Sequence, residues 1–316
     1  MSPQALLLIG TVVTDVVARH HGPLAPGTDT PARTELRPGG AAANAAAWAA
    51  RSGEVEVRLL ARVGADSAAW HRAELTAAGV HPHLVVDQER PTGVVVCLVD
   101  TEAERSFVTD FGAAAQLGPA DLSPELLAGA GHVHLSGYLL FSPPGRELAA
   151  RVLAAGVPVS VDPASTAFIE RFGLDEFRAV VRAAGLVLPN LDEARLLAGV
   201  ADPGLAAERL STVHGEAVVT VGAAGAVVAR AGRVLGRVPG VPVEAVDSTG
   251  AGDAFTGAFL AARLAGAGPL EAAEAGCAAG AAAVTLVGGR PLRPAGLPGA
   301  GRTGVRSGDQ TRPGAE

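Results

Sequence analysis

Short apolar runs alternating with stretches of helical periodicity restrict the fold of this chain more than any other feature. The runs fall at 6–9, 57–61, 94–99, 132–135, 157–161, 186–188, 217–221 and 226–229. Between them apolar residues recur at helical spacing over 41–51, 67–78, 145–155, 192–197, 205–213, 253–264 and 270–284. Strands that are apolar throughout, rather than at alternate positions, are buried on both faces. The repetition therefore predicts an α/β domain, a three-layer sandwich with a mainly parallel central sheet between two layers of helices. Ligands of such a sheet sit beyond the C-terminal ends of its strands, so chemistry is to be sought just after the runs.

Two stretches break the alternation. Segments 11–38 and 91–111 are rich in β-formers and turn residues and hold no good helix, which reads as a small lid sheet that the chain visits twice. From 297 onward Gly, Arg, Pro, Ser and Thr dominate, so 296–316 reads as a disordered C-terminal tail and 1–295 as one domain. The literal GxGxxG at 299–304 lies in that tail with no strand before it, which disqualifies it as a dinucleotide fingerprint.

Composition excludes several kinds of function. The 316 residues are 48% hydrophobic and 18% charged, enough to bury a large core, but only 3% aromatic, so that core must be mostly Ala, Val and Leu. A formal charge of -7 argues against a nucleic-acid surface, because phosphate backbones reward clustered cations. The sequence contains no lysine; all 25 basic residues are arginine. P-loop phosphate binding, protein-kinase chemistry and Schiff-base catalysis each require a lysine and are thereby excluded. Cys97 and Cys277 make no disulfide framework and no CxxC pair. The opening residues lack the basic region of a signal peptide, and no run has the ~20 apolar residues of a membrane span. A cytoplasmic, reduced setting is expected, with no membrane or nucleic-acid partner.

The strongest chemical signal is Asp247-Ser248-Thr249-Gly250-Ala251-Gly252-Asp253. Phe255, Phe259 and Leu260 recur at helical spacing after it, so a glycine-rich turn opens a helix at or just before Asp253. Free N–H groups and the helix dipole favour an anion there, and glycines let the backbone approach it closely. A carboxylate beside that anion site suits a general base acting on a hydroxyl nucleophile that attacks phosphorus. An ordinary loop capped by Asp accounts for less, since two aspartates bracket the turn with hydroxyls between them.

This segment resembles the C-terminal signature of the ribokinase-like, or PfkB-type, carbohydrate kinases. The resemblance implies a ribokinase-like fold with a small β lid, and transfer of a phosphoryl group from ATP, with Mg2+, to a hydroxyl of a sugar or sugar-like molecule. It makes Asp253 the catalytic base and the backbone of Gly250, Ala251 and Gly252 the anion hole. Asp247 is similar to the monovalent-cation ligand of members that use K+. Further matches fall in the family's order. Gly39, Gly40 and Asn44 resemble the sugar-contacting N-terminal signature, and Asp15 resembles the substrate-binding Asp at the lid entrance. Asn190 and Glu193 match the Asn-x-x-Glu motif, in which Glu193 would hold Mg2+ through water; an Asn cap followed by acidic first-turn residues gives the same pattern. Thr220, Gly222 and Gly225 are similar to the nucleotide-binding loop. The resemblance covers residues 5–294 and leaves a homodimer through the lid open.

Departures bear on the substrate. Val13 and Ala41 stand where ribose-specific members carry Asn and Lys, Ala114 replaces a frequent Asn, and Asp162-Pro163-Ala164 lacks the Asn and Arg that often follow in fructokinases and 2-keto-3-deoxygluconate kinases. D-ribose is therefore expected to be a poor acceptor. A nucleoside kinase is the close rival, disfavoured by the scarcity of aromatics in the lid. A non-catalytic sugar-binding relative would not need Asp253, and a dehydrogenase would need GxGxxG after the first strand. Of the remaining polar residues, His132 and His134 read as sheet-face packing and His81 and His83, flanking Pro82, as a solvated turn. Arg105 reads equally as a ligand contact and as a surface arginine.

Overall fold

The computed structural model describes residues 5–291 except residue 21 and residues 101–104; the proposed tail at 296–316 lies outside the described residues. In chain order the strands are β1 (Ala5–Ile9), β2 (Val13–His20), β3 (Ala32–Gly39), β4 (Val57–Gly64), β5 (His81–Asp87), β6 (Thr92–Val99) and β7 (Arg105–Gly112). They continue with β8 (Ala130–Ser136), β9 (Val159–Asp162), β10 (Leu186–Val187), β11 (Glu216–Thr220), β12 (Ala226–Arg230) and β13 (Arg233–Val238). The large sheet runs β13-β12-β11-β10-β9-β8-β1-β4-β5. Neighbours from β11 through β5 pair in parallel, and β12 and β13 return antiparallel at one edge.

Apolar burial on both faces explains why these runs are not alternating. Leu7 and Ile9 of β1 enter one buried cluster together with Val133, Leu135, Phe177 and Val219. Leu6 and Leu8, on the opposite pleat face, enter a second cluster with Ala46, Val218, Phe255 and Phe259. All four β1 side chains are fully buried. Helices Ala41–Ala50, Ala251–Leu264 and Pro269–Val284 contribute to the second layer. Alanine dominates their buried faces, and close approach follows: a Cβ on Gly257 would lie 2.1 Å from the carbonyl oxygen of Ala45.

The two stretches that break the alternation meet in one four-stranded sheet, β3-β2-β6-β7, with β2 and β6 parallel and the outer strands antiparallel. It lies beyond the C-terminal ends of β1 and β4, since β2 follows β1 after a few residues. The His81 turn is corrected: His81, Pro82 and His83 belong to β5, paired with β4 through Arg58 and Leu60. Proline is tolerated because β5 is the sheet edge, where its missing N–H leaves no neighbour unpaired. Both histidines remain exposed. Strand β13 is an addition whose alternating exposure suits an edge with one solvated face. Helices Thr166–Phe172 and Leu174–Val181 are also additions, split at Gly173, whose φ of 109° ends one and starts the next.

Candidate active site

Loops following β1, β9, β10 and β11, together with the start of helix Ala251–Leu264 and the inner face of the small sheet, enclose a cavity of about 790 Å³. Its floor is the glycine-rich turn. Gly250 precedes the helix with φ 75°, and a Cβ there would lie 2.5 Å from the Cα of Gly289, so both the backbone angle and the neighbour demand glycine. Asp247 braces the turn: its carboxylate accepts from the Thr249 N–H at 2.8 Å and the Gly288 N–H at 3.0 Å. A Cβ on Gly252 would meet nothing within 4 Å. Its backbone faces open cavity, and the first N–H groups of a helix lack intrahelical acceptors. An anion can approach there.

Asp253 lies in the first turn of this helix, and its carboxylate accepts from Asn44 Nδ2 at 2.8 Å. Burial pushes its pKa up to about 7; the Asn44 hydrogen bond opposes that rise, and the charges of Asp162 and Asp15 add to it. A carboxylate poised near neutrality can both accept a proton and release it. Asp15 projects from β2 into the same cavity, raised to about 6 by burial, against the lowering effect of Arg290 and with a further rise from Asp247. The carboxyl presses on the turn that ends β3, where a Cβ on Gly39 would overlap it at 2.2 Å. Gly40, at φ 100°, has room for no side chain because the Thr11 carbonyl oxygen would be 2.4 Å away. Gly40 and Asn44 line the cavity, whereas Gly39 stands behind Asp15.

The opposite wall carries Asn190, Glu193 and Thr220. Asn190 caps helix Leu191–Ala198, accepting from the Glu193 N–H at 2.9 Å, while Glu193 accepts from the Asn190 N–H and from its Nδ2. The capping pattern is thus present, with the buried Glu193 carboxyl held at the cavity wall. Asp162, at the end of β9, shares that wall. Burial pushes both carboxyls upward; the Asp162 charge adds to the shift of Glu193, and the Ala164 N–H and the Thr256 hydroxyl oppose that of Asp162. Two buried carboxyls that disfavour each other's charge form a donor set that a divalent cation relieves. They fit hydrated Mg2+, which takes one or two carboxylates and completes its shell with water and phosphate. Among the described residues no group of three or more His, Cys, Asp or Glu side chains is gathered for a metal. Thr220 bridges to Asn190, but Gly222 and Gly225 shape the turn after β11 outside the cavity lining.

Arg105 of β7 crosses from the lid to this floor. Its guanidinium pairs with Asp247 at 2.9 Å and donates to the Ser248 hydroxyl at 2.8 Å. The Asp247 carboxylate, a candidate cation ligand, is therefore engaged by an arginine and two backbone N–H groups. Arg37 of β3 makes a second crossing, donating to the Val287 carbonyl at 3.0 Å.

Apart from Asp15 and Thr109, the lid face of the cavity is apolar, with Val13, Val17, Val95, Cys97, Val99 and Phe107. Phe111, Tyr138 and Phe168 meet at its side with ring centroids 5.7–5.8 Å apart. Phe141, Phe172 and Phe177 extend this group, which takes in five of the chain's eight phenylalanines and its one tyrosine. A second cavity of about 380 Å³ shares Thr11, Phe111, Tyr138, Phe168 and Arg171 with the first. Sequence reading did not single out this aromatic wall, nor the roles of Thr256 and Arg290, and it noted Asp162 only as a departure. The rings are far apart along the chain, and no local spacing marks them. His132 and His134 share the Ser160 hydroxyl at 2.8 and 2.9 Å, as sheet-face packing requires.

The family model described as pfkB family carbohydrate kinase matches residues 4–295. Ribokinase of Haemophilus influenzae is 30% identical over 301 residues, covering 92% of this chain and 95% of that protein. The structure of adenosine kinase from Sinorhizobium meliloti superposes with a TM-score of 0.83 at 25% identity, covering 92% of this chain and 97% of the other. An Escherichia coli protein described as a ribokinase II, in complex with ATP and Mg2+, gives 0.79 at 26% identity, covering 90% and 94%.

Proposed function

The chain belongs to the pfkB family of carbohydrate kinases, and from that premise we propose that it transfers the γ-phosphoryl group of ATP to a hydroxyl of a sugar bearing a bulky apolar substituent, a nucleoside above all. The observation that carries the phosphoryl-transfer half is Asp253, tuned to about 7, beside an open glycine turn at a helix N-terminus. The acceptor hydroxyl gives its proton to the Asp253 carboxylate as its oxygen attacks the γ-phosphorus. The new O–P bond forms as the bond from that phosphorus to the β–γ bridging oxygen breaks, and ADP leaves with the bridging oxygen. Backbone N–H groups of the 250–252 turn would face the equatorial oxygens, where negative charge is carried through the transition state, with the long Ala251 N–H contact to the Ser248 carbonyl giving way to the phosphoryl oxygen. Glu193 and Asp162 would hold hydrated Mg2+, which supplies charge neutralisation for the phosphates. Exposed Val241, Val243 and Val246, between the Gly225 turn and Asp247, offer apolar surface for the adenine.

The substrate half rests on the aromatic wall. Asp15 and Asn44 supply polar anchors, but the roof around Asp15 is mostly valine and the side is Phe111, Tyr138 and Phe168. A free pentose would leave its outer hydroxyls against hydrocarbon, at about 1–3 kcal/mol for each group left unpaired. A planar apolar substituent instead gains stacking surface. The scarcity of aromatics in the lid, which weighed against a nucleoside, is offset by Tyr138 and Phe168, which come from outside the lid to meet Phe111 of β7. The test is ADP release across a panel of pentoses, hexoses, keto-acid sugars and nucleosides. Nucleosides should give the highest kcat/KM and D-ribose a low one. Ribose as the best acceptor would refute the substrate class, and no acceptor-stimulated ADP release anywhere on the panel would refute the kinase reading.

A further inference from the structure

Arg290 enters the site from a part of the sequence far from the sugar-side motif. The segment that carries it is threaded tightly through the core. Gly289 has no room for a Cβ, which would meet Asn44 Nδ2 at 2.3 Å, and its carbonyl accepts from Trp48 Nε1 at 3.0 Å. The Arg290 side chain then turns back, with Nη2 donating to the Gly39 carbonyl at 3.0 Å and Nε directed at Asn44 Oδ1 at 3.4 Å. Nη1 is enclosed and has no hydrogen-bond partner. Burial pulls the guanidinium down to about 10, against the pull of Asp15 and Glu74, so it remains a cation at neutral pH.

Asn44 therefore sits between a group with only donors and a group with only acceptors. A guanidinium has five N–H donors and no acceptor, an ionised carboxylate has acceptors alone, and the Asn amide has one oxygen and one NH2. With Oδ1 toward Arg290 and Nδ2 toward Asp253, both contacts are attractive. Turned over, the amide would set N–H against N–H on one side and oxygen against carboxylate on the other. One orientation satisfies both neighbours, and Arg290 supplies the half of that preference which does not depend on the protonation state of Asp253.

We propose that Arg290 is a positioning residue for phosphoryl transfer: it holds the Asn44 amide with its NH2 toward Asp253 and pins the Gly39 turn beside it. The inference rests on reading Asp253 as the base. It adds a device for keeping one carboxylate oxygen occupied, which leaves the other free for the incoming hydroxyl.

A double-mutant cycle with Asn44 tests this. Arg290→Met preserves the side chain's apolar length and removes its donors. It should lower kcat for the best acceptor about 10-fold, the weight of roughly one charged hydrogen bond, with KM for ATP unchanged. In an Asn44→Leu background the same substitution should cost less than about twofold, because no amide remains to orient. Equal losses in both backgrounds would assign Arg290 to structure alone and overturn the proposal, as would unchanged kcat. If Arg290→Met does not fold, Arg290→Lys is read in the same cycle, with a several-fold loss expected only where Asn44 is present. A crystal structure of the folded variant decides independently of turnover: the Asn44 amide should leave Asp253, and retention of the contact at 2.8 Å overturns the inference. An inactive wild type would sink the kinase reading, while this structural readout would still decide the role of Arg290.

Discussion

The floor and the roof of the cavity are built by opposite means. The floor is polar and dictated by backbone: Gly250 and Gly289 touch, Asp247 bridges two loops, and Asn44 links Asp253 to Arg290. The roof is a thin sheet whose cavity face is apolar apart from Asp15 and Thr109, and its polar crossings to the floor include Arg37 and Arg105. A floor of this kind tolerates few substitutions, because most polar groups there, Arg290 Nη1 excepted, have a designated partner, and a buried group that loses its partner costs about 1–3 kcal/mol. The roof presents side-chain shape to the ligand, and hydrophobic shape is repacked at smaller cost. The division implies that transfer chemistry is set below and acceptor choice above.

The largest effect should come from the floor. Asp253→Asn removes the proposed proton acceptor while keeping volume and most contacts, and should lower kcat by ~10²–10⁴-fold. ATP affinity, measured by calorimetry, should scarcely move. Retention of most of the turnover would place the base elsewhere and dissolve the distinction between floor and roof.

Acting as the proposed base, the same residue should set the pH dependence. With Asp253 raised to about 7, the carboxylate is protonated, and inactive as a base, below that pH. The logarithm of kcat/KM should rise with pH through about 7 and then level off, losing roughly tenfold per unit on the acid side. Asn44→Leu removes a hydrogen bond that lowers this pKa, so its acid limb should move to higher pH. A limb that stays in place would separate Asn44 from the titration.

These residues also mark how much was legible beforehand. The glycine turn at 250–252 and Asp253 could be read from sequence because a helix start constrains them locally, whereas Asp15 and Asn44 carry only weak local signals and were singled out by the family resemblance. The apolar runs likewise identified the parallel strands, since burial on both faces leaves a continuous signal. Strand β5 was obscured by Pro82, which only an edge position admits. The aromatic wall and Arg290 were not legible for a different reason. Phe111, Tyr138 and Phe168 come from three separate segments, and Arg290 meets Asn44 246 positions away. Contacts of that kind are properties of the closed fold, with no periodic trace.

Glu193 tests the wall between floor and roof. Gln at this position can still accept from the Asn190 N–H and so complete the capping pattern, but it gives up the hydrogen bond that the second Glu193 oxygen accepts from Asn190 Nδ2. Glu193→Gln therefore removes the charge and one acceptor at nearly constant volume. It should raise the Mg2+ concentration for half-maximal rate by roughly tenfold, with acceptor KM changed far less. An unchanged Mg2+ titration would return the residue to helix capping alone.

The smallest expected effect belongs to the roof side and bears most directly on acceptor choice. Phe168 contacts Phe111 and Tyr138 at the cavity and stacks on Phe141 at 5.2 Å. Removing its ring takes away a face on which a planar base can lie, worth about 1–3 kcal/mol by the usual cost of a lost stacking partner. Phe168→Ala should thus lower kcat/KM for a nucleoside roughly tenfold while changing that for free ribose less than about twofold, because ribose has no surface to lay against the ring. The control is a substitution behind the wall: Phe172→Leu alters the shared packing without opening the main cavity, and should reduce thermal stability without changing the ratio of nucleoside to ribose. Equal losses for both acceptors with Phe168→Ala would mean that the rings only support the fold. The aromatic wall would then lose its claim on specificity, and the roof valines of β2 and β6 would be the remaining determinants.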